Sequence, residues 1–356
     1  MTHLQAFQRE LGERGGAALI SSHTNIFYLC GFSFHDGYLL IFPDAAYLLT
    51  DSRYSEAAEM EADKGFTVLV PKCGMIAAFR ELLGTHGVTS LSVEESNLTV
   101  ATFDRLVKGL DGVTLLHGVT DILTRLRICK DAAEIAAIRE AQRITDAAFT
   151  HILDFIKPGV RELDVALELE FFMRRMGASG LAFHTIAVSG SASSLPHGVP
   201  RDRVLEQGFL TMDFGARYRN YCADMTRTVV IGRADAEMKR LYRTVLAAQE
   251  AVLDVIGGGL FCSAMDKTAR DIIDKSGYEG CFGHSLGHGV GIDIHEAPRL
   301  SAKAGDAVLT AGHVVTVEPG IYLTGKYGCR IEDLVVIGAD GRAENLTASP
   351  KELIEL

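Results

Sequence analysis

The chain has 356 residues, 46 acidic against 35 basic for a formal net charge of -11, and 47% hydrophobic residues. At roughly 100–200 residues per domain this length predicts two domains, and the acidic balance excludes a general nucleic-acid binder, which needs a basic footprint to neutralise phosphates. Anionic membrane surfaces are disfavoured for the same reason, and the longest apolar stretch, residues 245–262, is too broken by Gln249, Glu250 and Asp254 to span a bilayer.

The opening MTHLQAFQRELGERGG alternates apolar and charged residues as an amphipathic helix does, and it lacks the unbroken apolar core of a signal peptide. Strand patterns follow at AALIS (17–21), GYLLIFPDAAYLLTD (37–51, two strands and a turn), FTVLVP (66–71) and SLSVEE (90–95), with helical patterns between them. That alternation predicts a small α/β domain over residues 1–121. A stretch beginning at Lys130, KDAAEIAAIREAQRITDAAFTHILDFI, carries apolar residues at helical spacing and stops at Lys157-Pro158-Gly159. The boundary is placed near residues 121–124, so the second domain covers 122–356. There, predicted helices at 162–176, 235–256 and 263–276 alternate with strand pairs, an α+β arrangement. The seven cysteines (Cys30, Cys73, Cys129, Cys222, Cys262, Cys281, Cys329) are scattered without C-x-x-C spacing, the pattern of reduced thiols in a cytoplasmic protein.

The second domain contains a faint repeat. TMDFGARYRNYCADMTRTVVIG (211–232) and TVEPGIYLTGKYGCRIEDLVVIG (316–338) share Thr-x-acid-x-Gly, a tyrosine-containing turn, a cysteine, a second acid and a closing Val-Val-Ile-Gly. Two related halves facing one another are the expectation. Read as a hairpin with Tyr218-Arg219 at its tip, the first copy sets Asp213 opposite Asp224, with Cβ atoms about 4.5–5.5 Å apart. With Gly325 central in its turn, the second copy sets Glu318 opposite Glu332. Like charges so placed repel, and a divalent cation is the usual compensation.

A third element, GHSLGHGVGIDIHEAP (283–298), holds His284, His288 and His295. The H-x-x-x-H spacing suggests two zinc ligands on a helix, but Ser285 stands where a metalloprotease has its glutamate, and Gly283, Gly287, Gly289 and Gly291 argue against a helix. His288, between two glycines, is the chosen nitrogen ligand. Four carboxylates and one neutral imidazole match the charge of two divalent ions, and oxygen-dominated ligation suits Mn²⁺ while admitting Co²⁺ or Zn²⁺. Such a pair of ions can hold a shared water as hydroxide and polarise a carbonyl.

SLPHGVP (194–200), MDFGARYRNYCADMTRT (212–228), GHSLGHGVGIDIHE (283–296), VEPGIY (317–322) and CRIEDLVVI (329–337) together resemble the pita-bread metallopeptidases, which include Xaa-Pro dipeptidase (prolidase), aminopeptidase P and methionine aminopeptidase. The resemblance implies a pita-bread catalytic domain with pseudo-twofold halves behind a creatinase-like N-terminal domain. It implies metal ligation by Asp213, Asp224, His288, Glu318 and Glu332, with Glu318 relaying the proton of a hydroxide that bridges the two metals. His197, His284 and His295 resemble the family's substrate-site histidines, and Arg330 an arginine that supports ligands or substrate. Thr226 and Thr316 fall on the ligand faces and are candidates to brace them. His35, Asp36, Arg53 and Tyr54 of the first domain could reach a site across a domain or dimer interface, but surface positions are the expectation.

The added N-terminal domain and the complete ligand set place the chain with the proline-directed members. The expected activity is hydrolysis of the Xaa-Pro bond at the N-terminus of dipeptides or short peptides. A Xaa-Pro dipeptidase is favoured; aminopeptidase P acting on longer peptides is the alternative, and a non-catalytic pita-bread binding protein a remote one. The resemblance also implies a homodimer, and the acidic balance implies no nucleic-acid or membrane partner.

Overall fold

The first-domain strand patterns form one mixed six-stranded sheet, in the order Thr67–Leu69, Ala46–Thr50, Gly37–Ile41, Ala17–Ile20, Ser90–Val93, Thr114–Leu116. The central strand Ala17–Ile20 is buried on both faces, as its unbroken apolar run requires. The edge strand Thr114–Leu116 is an addition to the sequence reading. The computed structural model describes all 356 residues, in two units, Met1–Arg127 and Ile128–Leu356. The helix Val119–Ile128 contains the residues at which the sequence places the boundary, so the division falls at its C-terminal end. No helix is long and apolar enough to cross a membrane.

The second unit is built twice over. The long helix Ala132–Phe155 starts on a capping box between Asp131 and Glu134 and ends before Lys157-Pro158. Helix Glu162–Arg175 follows, then strands Ile186–Ser189, Gly208–Phe214 and Met225–Ile231 in one sheet. Helices Ala236–Leu253 and Cys262–Ile273 then precede strands Gly287–Gly289, Val314–Val317 and Asp333–Ile337, part of a five-stranded sheet. Each helix pair packs on its own half: Ile144, Phe149, Val165 and Leu169 against Leu210 and Met212 in the first, Leu241, Val245, Met265 and Ile273 against Val315 and Val335 in the second. The segments 226–228 and 330–332 join the halves, the Glu332 amide donating to the Thr226 carbonyl (3.1 Å) and the Thr228 hydroxyl to the Arg330 carbonyl (2.9 Å).

The register of the first hairpin corrects the sequence reading. Asp213 lies opposite Thr226, not Asp224, and Tyr218 opposite Tyr221. The central turn residues are Arg219 and Asn220, both at positive φ (46° and 66°), the conformation that a two-residue hairpin turn demands and that Asn tolerates better than Tyr. Asp224 therefore faces Gly215, where the ladder is interrupted between Phe214 and Met225. In the second hairpin Val317 pairs with Asp333 and Gly320 with Arg330, one register that sets Glu318 opposite Glu332 as read.

Candidate metal centre

Both hairpins and the glycine-rich segment open onto one cavity of about 470 Å³, lined by Asp213, Asp224, His288, Glu318 and Glu332 together with His197, His284, His295 and Arg330. All nine charged or imidazole side chains singled out in the sequence are thus brought together within the second unit. The glycine-rich segment is extended at its centre, where Gly287–Gly289 forms a strand beside Val314–Val317. Gly287 is needed there, since a Cβ would sit 2.0 Å from the Thr316 carbonyl oxygen.

The donor atoms converge. One donor atom each from Asp224, His288 and Glu332 lies within 4.8 Å of the others. His288 Nδ1 lies 3.1 Å from the Gly289 carbonyl, which only accepts, so the hydrogen-bond pattern assigns the proton to Nδ1 and the lone pair to Nε2. That lone pair faces Glu318 Oε1 at 3.3 Å and Asp224 Oδ2 at 3.6 Å. Three acceptors turned toward each other call for a cation between them. Asp213 supports the same conclusion: Oδ2 accepts from Arg330 Nη2 (2.7 Å), while Oδ1 is buried with no hydrogen-bond partner. An oxygen-rich set with one imidazole fits a divalent metal.

The electrostatics of the bare cluster agree. Burial, then the neighbouring carboxylates, push the Asp224 and Glu332 carboxyls well above the ordinary range, and burial lifts Glu318 to about 7. Burial also holds His288 down at about 3, so its imidazole is neutral. Burial works against the charge of Arg330, but Tyr322, Asp213 and the two glutamates keep it a cation.

Two threonines brace the candidate ligands. The Thr226 hydroxyl accepts from Arg330 Nε (2.9 Å) and donates to Glu332 Oε2 (2.7 Å), while the Thr316 hydroxyl accepts from the His288 amide (3.1 Å) and donates to Glu318 Oε1 (3.0 Å). His295 stacks edge-on against His288, ring centroids 4.3 Å apart, and His197 is exposed on the cavity wall. In the first unit, Arg53 pairs with Asp36 and Asp51, and His35 with His23.

Sequence reasoning missed two residues. The Tyr322 hydroxyl accepts from Arg330 Nη1 (2.8 Å) and lies 3.0 Å from His284 Nε2; since His284 Nδ1 faces the Ser285 carbonyl (2.9 Å), Tyr322 donates to Nε2. The second hairpin's register contained the signal, because Tyr322 pairs with Gly328, two residues from Arg330 and hence on its face. The other is Arg299, which lines the cavity and forms no ion pair.

Comparison with known proteins places both units. Residues 136–339 match metallopeptidase family M24, and residues 3–129 match the creatinase/prolidase N-terminal domain. A Xaa-Pro dipeptidase of Pyrococcus horikoshii is 37% identical over 340 residues, covering 95% of this chain and 94% of that one. The structure of a Xaa-Pro dipeptidase from Bacillus anthracis superposes with a TM-score of 0.94 at 39% identity, covering 99% of each chain. An X-Pro aminopeptidase from Thermotoga maritima superposes with a TM-score of 0.91 at 37% identity, covering 98% of this chain and 99% of the other.

Proposed function

The chain belongs to metallopeptidase family M24, and from that premise we propose that it is a Xaa-Pro dipeptidase, hydrolysing the bond between an N-terminal residue and proline. The observation that carries the reading is the convergence of the His288 Nε2 lone pair on the carboxylates of Asp224 and Glu318, with Glu332 and the open Oδ1 of Asp213 beside them.

Those five residues would hold the metal, two divalent ions by charge and Mn²⁺ by donor chemistry. Bound divalent metal lowers the pKa of water so that it attacks at neutral pH, and it polarises the scissile carbonyl. The protein's own groups do the rest. Glu318, with Thr316 fixing Oε1, takes the proton of the attacking water on its carboxylate and returns it to the prolyl nitrogen, which must be protonated to leave. His295 and His197 donate to the carbonyl oxygen as negative charge develops there. Phe183, Ile186 and Ile294 give the proline ring an apolar wall.

Arg299 favours a dipeptide over a longer chain, because an unpaired guanidinium at the cavity is matched by the free carboxylate of a C-terminal proline. A homodimer and a cytoplasmic location belong to the same reading. The apolar row Leu163, Leu167 and Phe171, exposed at helical spacing, is a surface that a second copy could cover.

The test is to strip the protein of metal, restore Mn²⁺, Co²⁺ or Zn²⁺, and assay a Xaa-Pro dipeptide, a Xaa-Pro-Yaa tripeptide and a Met-Ala peptide in parallel. The dipeptide should turn over fastest, with Mn²⁺. Equal turnover of the tripeptide makes the protein an aminopeptidase P, and preference for Met-Ala removes proline from the reading.

A further inference from the structure

Five consecutive cavity-lining residues, Pro196 to Pro200 with His197 among them, belong to one loop between the strand Ile186–Ser189 and Arg201. Its second half is thinly packed, with Leu195 57% and Val199 76% exposed. Its first turn, Gly190–Ser194, is anchored by Ala192 packed on Ile186 and Val188 and by the Ser193 hydroxyl, which accepts from the Gly328 amide (3.0 Å), but one carboxylate behind it ties its two ends together. Glu162, the first residue of the helix Glu162–Arg175, has a fully buried side chain that binds both ends of the loop. At one end Oε1 accepts from the amide (2.7 Å) and hydroxyl (2.8 Å) of Ser189. At the other, Oε2 accepts from the amide (3.0 Å) and Nε (2.8 Å) of Arg201, whose Nη2 reaches back to Oε1. The Arg201 guanidinium also donates to the Ser189 carbonyl (3.3 Å), closing the ring of contacts. At mid-loop the Pro196 carbonyl accepts from Arg330 Nη1 (3.3 Å), so the loop is seated on the residue that grips Asp213.

We propose that Glu162 and Arg201 are positioning residues for the peptidase reaction: their ion pair staples the loop 189–201 closed and thereby fixes His197 over the scissile carbonyl. Neither residue lines the cavity or touches the carboxylate cluster. The effect travels by geometry alone, and misplacing a reacting group by about 1 Å costs on the order of 100-fold in rate. A loop stapled at both ends spares His197 the entropy of being ordered when substrate arrives. The assignment rests on the peptidase reading above.

The experiment is a double-mutant cycle with two readouts. Glu162→Gln keeps the shape but supplies an amide where five donors need a carboxylate. It should lower kcat/KM for a Xaa-Pro dipeptide on the order of tenfold, with metal content unchanged, while costing less than about twofold in a His197→Ala background. Equal losses in both backgrounds overturn the proposal, because a merely structural residue acts whether or not His197 is present. Should Glu162→Gln not fold, Arg201→Lys takes its place in the cycle, keeping the charge and losing the fork. Amide hydrogen exchange supplies the readout that needs no substrate: exchange should quicken across 190–200 and stay constant across the hairpin 208–231. Unchanged exchange in the loop sinks the staple. A wild-type protein that ignores every Xaa-Pro substrate sinks the peptidase reading instead, and leaves the exchange result standing.

Discussion

Arg330 holds Asp213 by one oxygen only. Nη2 donates to Oδ2 at 2.7 Å, and the buried Oδ1 is left without a partner, on a residue that lines one cavity with Asp224 and Glu332. The guanidinium spends its other donors on the Thr226 hydroxyl, the Tyr322 hydroxyl and the Pro196 carbonyl. It therefore orients a carboxylate by neutralising half of it.

Arg330→Lys should separate these roles. A lysine keeps the charge near Asp213 but cannot reach four partners at once. Metal affinity is expected to fall on the order of tenfold as Asp213 loses its orientation, the range seen when groups bracing a metal ligand are removed, and part of the activity should return at high Mn²⁺. Arg330→Met, which leaves a buried carboxylate uncompensated, should destabilise the metal-free fold by about 3–5 kcal/mol. Metal titrations and thermal melts check both, and a lysine variant with wild-type metal affinity would show that charge alone suffices.

The raised carboxyls make metal-free stability depend on pH in a defined direction. Burial lifts Glu318 from 4.5 to about 7, and burial with the neighbouring carboxylates raises Asp224 and Glu332 well above their ordinary values, so the folded state holds protons that the unfolded chain has released. The Glu318 contribution is fully present below about pH 4.5 and is lost as pH rises through 7, and the other two carboxyls act in the same direction. Metal replaces those protons. The rise in melting temperature on adding Mn²⁺ to stripped protein should therefore be larger at about pH 8 than at about pH 5, and calorimetry should detect protons released on binding near neutral pH. A metal-induced rise that is greatest at the acid end contradicts the assignment.

Tyr322→Phe deletes the hydroxyl that sits between Arg330 and His284 without changing the ring. The variant should fold and bind metal, because no ligand touches that oxygen. Losing the donor to Nε2 frees His284 to turn, and kcat should drop about tenfold with a smaller change in KM. Steady-state kinetics beside a metal assay separate this outcome from a lost ligand, which would lower both.

Legibility differed between the two hairpins for a local reason. Gly325, at φ 74°, marks the centre of its turn, so the pairing of Glu318 with Glu332 could be counted outward. In the first hairpin the turn is made by Arg219 and Asn220, which advertise positive φ weakly, and the count began one residue early on the strand. The long helices were readable from apolar spacing and from breakers such as Lys157-Pro158-Gly159. The staple of Glu162 was not, since its partners Ser189 and Arg201 lie 27 and 39 residues away and carry no pattern that links them. Arg299 was passed over because a lone arginine gives no periodic signal; only the cavity shows what it faces.

The interruption of the first hairpin supplies the last prediction. Gly215 stands across from Asp224, and a Cβ there would lie 1.9 Å from the Ala223 carbonyl oxygen and 2.8 Å from its carbon, backbone atoms that no side-chain rotation can move aside. Gly215→Ala must therefore push apart the strands Gly208–Phe214 and Met225–Ile231 at the point where Asp224 enters the cluster. A general loss of packing would weaken the fold and leave metal affinity in the surviving native protein intact. Displacement of one ligand does the reverse. The expected result is both a loss of stability of about 2 kcal/mol or more and reduced metal affinity in the fraction that folds, read by denaturant melts and by metal titration of the purified native protein. Wild-type affinity in that fraction would mean that the 223–224 backbone can shift without carrying the Asp224 carboxylate with it, and the close approach at Gly215 would then be a feature of folding alone.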